Sequence, residues 1–183
     1  TVDPTRMGRT RLKGRRQTAT GSHKRLKDKR DEWRKQFMEV RRKNKALRAK
    51  VEAGLEEANA AFTVASAVMS PEMLEQALLY PKQSVELEMT FQNIMSVDVP
   101  QYRFHTSSQD PGEVYPYGFA QTSGELDDAV DAMSKVFQDM LRLAEVEKTS
   151  QLLAEEIEKT RRRVNALEYA KIPEMQENIK YIP

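Results

Sequence analysis

Leu12, Ala19, Leu26, Trp33, Val40 and Leu47 recur every seven residues without a break. That spacing draws one apolar seam down a supercoiled helix and predicts a helical arm from about Thr5 to Val68. The companion seam line reads Arg16, His23, Arg30, Phe37, Asn44, Val51, Ala58 and Ala65, polar over most of its first half. Polar seam positions cost stability but pin register and orientation, so they favour a single-register hairpin of helices over a promiscuous zipper. Ala60, Ala61, Phe62, Val64, Ala65, Ala67 and Val68 crowd the far end of the arm, where the best packing is expected. Near the other end of the chain, Leu143, Val146, Ser150, Leu153, Ile157, Thr160, Val164 and Leu167 alternate steps of three and four, which is the seam of a second arm.

Between the arms the pattern changes period. Ser70, Pro71 and Glu72 form a helix-start signal and Pro81 follows Leu79, predicting a short helix over 71–79. Val85, Leu87, Met89 and Phe91 then alternate with Glu86, Glu88 and Thr90, the period of a strand with one face buried. Val97, Val99, Tyr102 and Phe104 supply its partner in a small β-hairpin, with Pro100 restricting that partner to an edge or a bulge. Residues 105–121 read as an aromatic-bearing loop with Asp110-Pro111-Gly112 and Tyr115-Pro116-Tyr117-Gly118. Thr122-Ser123-Gly124-Glu125 has capping-box spacing and opens a helix carried by Leu126, Val130, Met133, Phe137 and Met140. The step from Met140 to Leu143 shortens the repeat, and Pro173, deep in the second arm, predicts a kink.

The expected fold is therefore mainly α: a long antiparallel two-helix coiled coil of the N- and C-terminal helices, with a short helix, a small β-hairpin and loops in the middle. The segments are 1–68 for the first arm, 69–124 for the head and 125–183 for the second arm. Folding the arms back on each other makes facing residue numbers total about 194, which sets Asn44 opposite Ser150. By that count the first turns lack a partner, so the chain is expected to continue past Pro183. Thr1 in place of an initiator methionine suggests a processed or trimmed start.

Composition supports rods over a compact globule: 39% of residues are hydrophobic, 32% are charged and only seven are glycine. An arm of about 55 to 60 residues spans roughly 85 Å and needs a partner to bury its stripe. The net charge of +2 hides a steep gradient. Residues 1–50 hold 19 of the 30 Lys and Arg with only 5 of the 28 acids, which leaves 11 against 23 for the rest. One end should seek an acidic partner.

The absence of cysteine excludes disulfides, thiolate catalysis and Cys-type zinc sites, and is compatible with a reducing compartment. No apolar run reaches the roughly 18 residues a bilayer span needs, and no secretory signal opens the chain. Gly21-Ser22-His23-Lys24 lacks the glycine spacing and the preceding strand of a phosphate-binding loop. His23 and His105 have no metal-ligand neighbours at helical spacing, and Glu155-Glu156 and Asp127-Asp128 read as solvated faces. No catalytic constellation and no cofactor site emerges. The basic stretch from Lys24 to Lys50 is open to three readings: a solvated helix face, a phosphate-binding surface, or a rod lodged against acidic or amide-rich walls. Trp33 and Phe37 interrupt it on seam positions, which suits a core better than base stacking. A basic coiled-coil nucleic-acid-binding or scaffold protein is the alternative reading.

Two stretches carry a resemblance. His23-Lys24-Arg25-Leu26-Lys27-Asp28-Lys29-Arg30-Asp31-Glu32, preceded by Pro4-Thr5-Arg6, resembles the N-terminal signature of the D subunits of V-type and archaeal-type rotary ATPases. Arg161-Arg162-Arg163-Val164-Asn165-Ala166-Leu167-Glu168-Tyr169, then Ile172-Pro173 and Ile179-Lys180-Tyr181-Ile182, is similar to that family's C-terminal signature. The resemblance covers nearly the whole chain, and the length fits bacterial and archaeal versions. It implies a non-catalytic axle whose two terminal helices enter a ring of three A and three B subunits. It further implies a small F subunit clasping the coiled coil, and a coupling subunit that docks beneath it above the membrane ring. The complex would sit on the cytoplasmic face and drive proton or sodium transport, with no nucleic acid and no direct membrane insertion by this chain. From charge and position, Arg9, Arg11, Arg15, Arg16, Arg161, Arg162 and Arg163 are the candidate ring contacts. Val85, Leu87, Met89, Tyr115 and Tyr117 are the candidates for docking toward the membrane sector, with simple capping of the coiled-coil end as their competing role.

Overall fold

A computed structural model describes residues 4–107, 115–118 and 123–182. Its elements are helix α1 (Arg6–Val68), helix α2 (Pro71–Leu78), strands β1 (Val85–Ile94) and β2 (Val97–Thr106), helix α3 (Gly124–Ala166), a π-helical turn (Leu167–Lys171) and helix α4 (Ile172–Tyr181). The loop motif at 110–112 and the cap expected at Thr122 lie outside the described residues. The fold is mainly helical, the N-terminal helix packing against the C-terminal one, as the heptads require. Two compact units divide it: Thr1–Glu39, Met95–Val97 and Ser150–Pro183 in one, Val40–Ile94 and Asp98–Thr149 in the other.

In the first unit the expected seam is the core. Ala19 and Trp33 are buried from α1, with Leu12 and Leu26 half-buried between them. Leu153, Thr160 and Val164 are buried opposite, and Ile157 and Leu167 are half-buried. His23, a polar seam residue, meets Glu168 across the helix pair at 3.4 Å. Where Pro173 predicts a kink, the helix changes type: the Ile172 N–H bonds to the Leu167 carbonyl five residues back, and Pro173 follows at once. A π turn widens the helix where proline has no N–H to give and would crowd the preceding turn.

In the second unit the companion line takes over, with Val51, Ala58 and Ala65 buried and Val40 and Leu47 only half-buried. The facing stripe differs from the expected one. Leu126, Ala129 and Val136 are buried, whereas Phe137 and Met140 stay 39% and 36% exposed. The reason is phase: Val136 and Ala129 lie seven and fourteen residues before Leu143, on the line of Ser150, Ile157 and Val164, and Val136 meets Gly54 so closely that a Cβ on the glycine would lie 2.5 Å from a Val136 methyl. Small residues, Gly54, Ala58 and Ala65, line α1 along this close approach, and Phe137, one residue off the buried line of α3, stays outside. The apolar end of the arm packs as expected through Phe62, Ala65 and Met69, while Val64 and Val68 are exposed. Lys50 pairs with Asp139 at 3.3 Å. The pairs 23 with 168, 50 with 139 and 54 with 136 all total near 190, so the helices are antiparallel and offset a few residues from the expected 194.

The end of the second unit closes on a cluster of Ala65, Met69, Ala77, Tyr117 and Leu126, with Phe62, Leu74, Tyr115 and Val130 against it. Helix α2 starts as its sequence demands: the Ser70 hydroxyl accepts from the Met73 N–H at 3.3 Å and Pro71 occupies the first turn. The two-stranded hairpin turns through Met95 and Ser96 at φ 51° and 73°, the left-handed pair a two-residue hairpin turn needs. Both strands of such a sheet are edges, which is why β2 tolerates Pro100. Val97, Val99 and Pro100 are buried, but Leu87, Met89 and Phe91 are 55%, 53% and 64% exposed. The alternation that reads as a strand with a buried face thus gives the strand, with that face open to solvent.

Candidate functional site

The arginines expected at the ring contact fall in the first unit but at two levels. Arg11 and Arg15, on exposed positions of α1, line a groove of ≈ 830 Å³ with Thr5, Met7, Glu174 and Asn178. Arg16 is exposed on the same helix, and Arg9 is half-buried with its Nε finding no partner among the described residues. Arg161 to Arg163 lie on α3, before the π turn, and do not join that groove. Arg161 donates twice to Glu158, at 2.8 and 2.9 Å, and Arg162 reaches the same carboxylate at 3.4 Å. These bonds, that of Arg161 foremost, hold the Glu158 carboxyl down to about 2. All three arginines are exposed; Arg161 and Arg162 are braced against their own helix with their charge partly matched, while Arg163 makes no such pair among the described residues. An exposed guanidinium presents five donors to a carboxylate or amide wall and can trade partners at little cost, since surface pairs of this kind are worth only about 0–1 kcal/mol each.

Exposed cations continue along α1 through Lys24, Arg25, Lys27, Lys29, Arg34, Lys35, Arg41, Arg42, Lys43, Lys45 and Arg48. Trp33, buried at 4% exposure, and half-buried Phe37 point away from this surface, so the basic face carries no aromatic platform from those two.

At the head, the docking candidates separate. Leu87 and Met89 are exposed with Phe91 beside them, and Val85 is half-buried. In the hairpin's register, anchored by the Asn93 to Asp98 bond at 2.9 Å, these odd-numbered residues share a face with Tyr102 and Phe104, whose rings meet edge to face at 6.4 Å. Phe91, Tyr102 and Phe104 thus extend the patch beyond the residues singled out from the sequence, and the two-residue turn was the signal that would have paired them. Tyr115 and Tyr117 instead serve the cap. Their rings are 6.1 Å apart, and the Tyr117 hydroxyl donates to Asp127 at 2.7 Å. Burial first, then this bond to a carboxylate, push the Tyr117 phenol well above its ordinary value. Burial and the charges of Asp131, Asp127 and Asp128 raise Tyr115 too. Among the described residues no helix is long and apolar enough to cross a membrane.

The family model described as the D subunit of ATP synthase matches residues 9–183. Among relatives, the V-type ATP synthase D subunit of Acetivibrio thermocellus is 61% identical over 181 residues, covering 99% of this chain and 82% of the relative. The proteins of the same name from Clostridioides difficile and Clostridium novyi are 56% and 50% identical, each over 99% of this chain and over 81% and 84% of their own lengths. With the two signature stretches meeting across one antiparallel helix pair through His23 and Glu168, the chain belongs to the family of ATP synthase D subunits.

Proposed function

We propose that the chain is the central-stalk rotor subunit of a bacterial V-type ATP synthase, coupling nucleotide turnover in a catalytic ring to rotation and ion transport. The observation that carries this reading is the family match from residue 9 to the last residue of the chain, on a fold whose two terminal helices pair antiparallel. In this reading the chain contributes no catalytic group. It works by differential contact: a two-helix shaft cannot present the same surface to three interfaces at once, so each shaft angle favours one set of ring conformations, whereas equal contact with all three would shift none.

The basic, termini-bearing end suits the ring cavity formed by the A and B subunits. Arg9, Arg11, Arg15, Arg16 and Arg161 to Arg163 would provide shallow polar contacts there, broken and remade at each step. A strongly apolar surface at that place would resist turning. The head would face the membrane sector, where Val85, Leu87 and Met89, with Phe91, offer the apolar face toward the coupling subunit. Tyr115 and Tyr117 would support it from the cap. The small F subunit would clasp the paired helices alongside, and the assembly would lie on the cytoplasmic face of the membrane.

Affinity purification of the chain from its native cells at moderate salt, followed by mass analysis, tests the assignment. Two large nucleotide-binding subunits and a small partner of domain size are expected. Recovery of nucleic acid, or of the chain alone, would refute it. Replacing Arg11, Arg15 and Arg163 by Gln, singly and together, is expected to weaken recovery of the ring or its coupled hydrolysis, and unchanged assembly and coupling would remove these residues from the contact.

A further inference from the structure

Through the first unit, α3 buries its seam at strict sevens: Ser150, Ile157 and Val164 on one line, Leu153, Thr160 and Leu167 on the other, all buried or half-buried. Continued as an α-helix, those lines would next present Lys171 and Asn178, and Glu174 and Tyr181. The chain does otherwise. Ile172 and Ile179, and Met175 and Ile182, turn inward, each line resuming eight residues on instead of seven. Ile179 and Ile182 are 8% and 1% exposed, while Tyr181 is 77% exposed and Lys171 and Glu174 are less buried than their neighbours on the seam. The extra residue is taken up where the helix changes type, in the π turn at Leu167–Lys171. An unbroken α-helix would drag a lysine and a glutamate into the seam and put two isoleucines in water, both strongly unfavourable.

We infer that the π turn is a one-residue phase corrector, joining two stretches of coiled coil whose apolar stripes cannot share one α-helical phase. Its place is fixed on both sides. Glu168, in its first turn, reaches across to His23 of α1, and Pro173, just after it, has no N–H to offer an α-helical bond. The demand for the turn comes from the position of Ile172, Met175, Ile179 and Ile182; the proline suits it but does not create it.

Deletions in the full-length chain separate these causes, made in a Pro173→Ala background so that proline does not penalise a straightened helix. Deleting Ala170, exposed inside the turn, leaves both stripes at sevens and should convert the turn to α-helix. Deleting Ala154, exposed in a regular part of α3, throws every seam residue from Ile157 to Leu167 out of phase. Melting temperatures by far-UV circular dichroism are expected to stay level or rise for the Ala170 deletion, and to fall by about 5 °C or more for the Ala154 deletion. Hydrogen exchange at the amides of residues 171–175 should slow about tenfold in the Ala170 deletion but not in Pro173→Ala alone, whose turn persists. A fall for the Ala170 deletion at least half as deep as that for Ala154, failure to fold included, overturns the inference, as does loss of the turn in Pro173→Ala alone.

Discussion

The same substitution at three glycines of α1 should have two opposite outcomes. Glycine inside a helix costs about 0.8–1.0 kcal/mol relative to alanine, because the unfolded backbone is freer and no side chain shields the helix. At Gly14 and Gly21 an added Cβ meets nothing within 4 Å, so each Gly→Ala change should recover that amount and raise the melting temperature by about 2–4 °C for a chain of this size. At Gly54 the new methyl would sit 2.5 Å from one Val136 γ-carbon and 3.1 Å from its Cβ. Val136 is 3% exposed and, being β-branched on a helix, is held to one rotamer. It cannot swing away, so the helices must part locally. Overpacking of this kind costs about 1–3 kcal/mol, which exceeds the propensity gain and leaves Gly54→Ala destabilising by up to about 2 kcal/mol. Thermal and urea unfolding followed by circular dichroism read the sign directly. A double-mutant cycle with Val136→Ala, which removes the obstructing methyls, should return a coupling of about 0.5–3 kcal/mol in favour of the pair. If Gly54→Ala stabilised the chain as Gly14→Ala does, with no coupling to position 136, the close approach of the two helices in this layer would be wrong.

Three further outcomes follow from single contacts. Tyr117→Phe removes a part-buried hydroxyl bonded to Asp127 at 2.7 Å and should cost about 1.5–3 kcal/mol. Because the folded phenol is held above its ordinary value, its contribution is complete below about pH 10 and declines as pH rises beyond it, so the parent should lose stability in alkali more steeply than the variant. Glu158, drawn down to about 2 by Arg161 and Arg162, contributes above the ordinary carboxylate range and loses that contribution as pH falls toward 2. Its NMR titration should end well below that of a free glutamate and move up in Arg161→Gln. Trp33 is 4% exposed with an indole N–H that finds no partner among the described residues; Trp33→Phe should therefore cost far less in denaturant titrations than the about 3–5 kcal/mol of Trp33→Ala, and equal costs would mean that the N–H is satisfied after all.

What the sequence made legible was whatever depends on period. Seven-residue recurrence placed both arms and the two seam lines; alternation placed both strands; Ser70 and Pro71 placed the short helix, and Pro173 marked the irregular turn. What depends on distance stayed hidden. That Val136 and not Phe137 enters the core lies in the sevens counted back from Leu143, but how near Gly54 brings the helices at that layer does not, because a period of seven is silent on spacing. For Tyr117 the sequence left docking and capping both open, because an aromatic loop has no periodicity to bury it, and only its burial and its reach to Asp127 show that it packs into the cap.

The hairpin marks the boundary between the two kinds of information. Period two says that Leu87, Met89 and Phe91 share a face, and the two-residue turn adds Tyr102 and Phe104 to it. Neither says what covers that face. Within this chain the three β1 residues remain more than half exposed, although their alternation with Glu86, Glu88 and Thr90 is as strict as that of a strand packed on a core. A single apolar side chain in water needs no explanation, but several on one face of a two-stranded sheet, which is marginal by itself, do. On the proposed rotor reading the periodic pattern therefore encodes burial in the assembled complex, and the free chain shows only the half of the interface that it supplies.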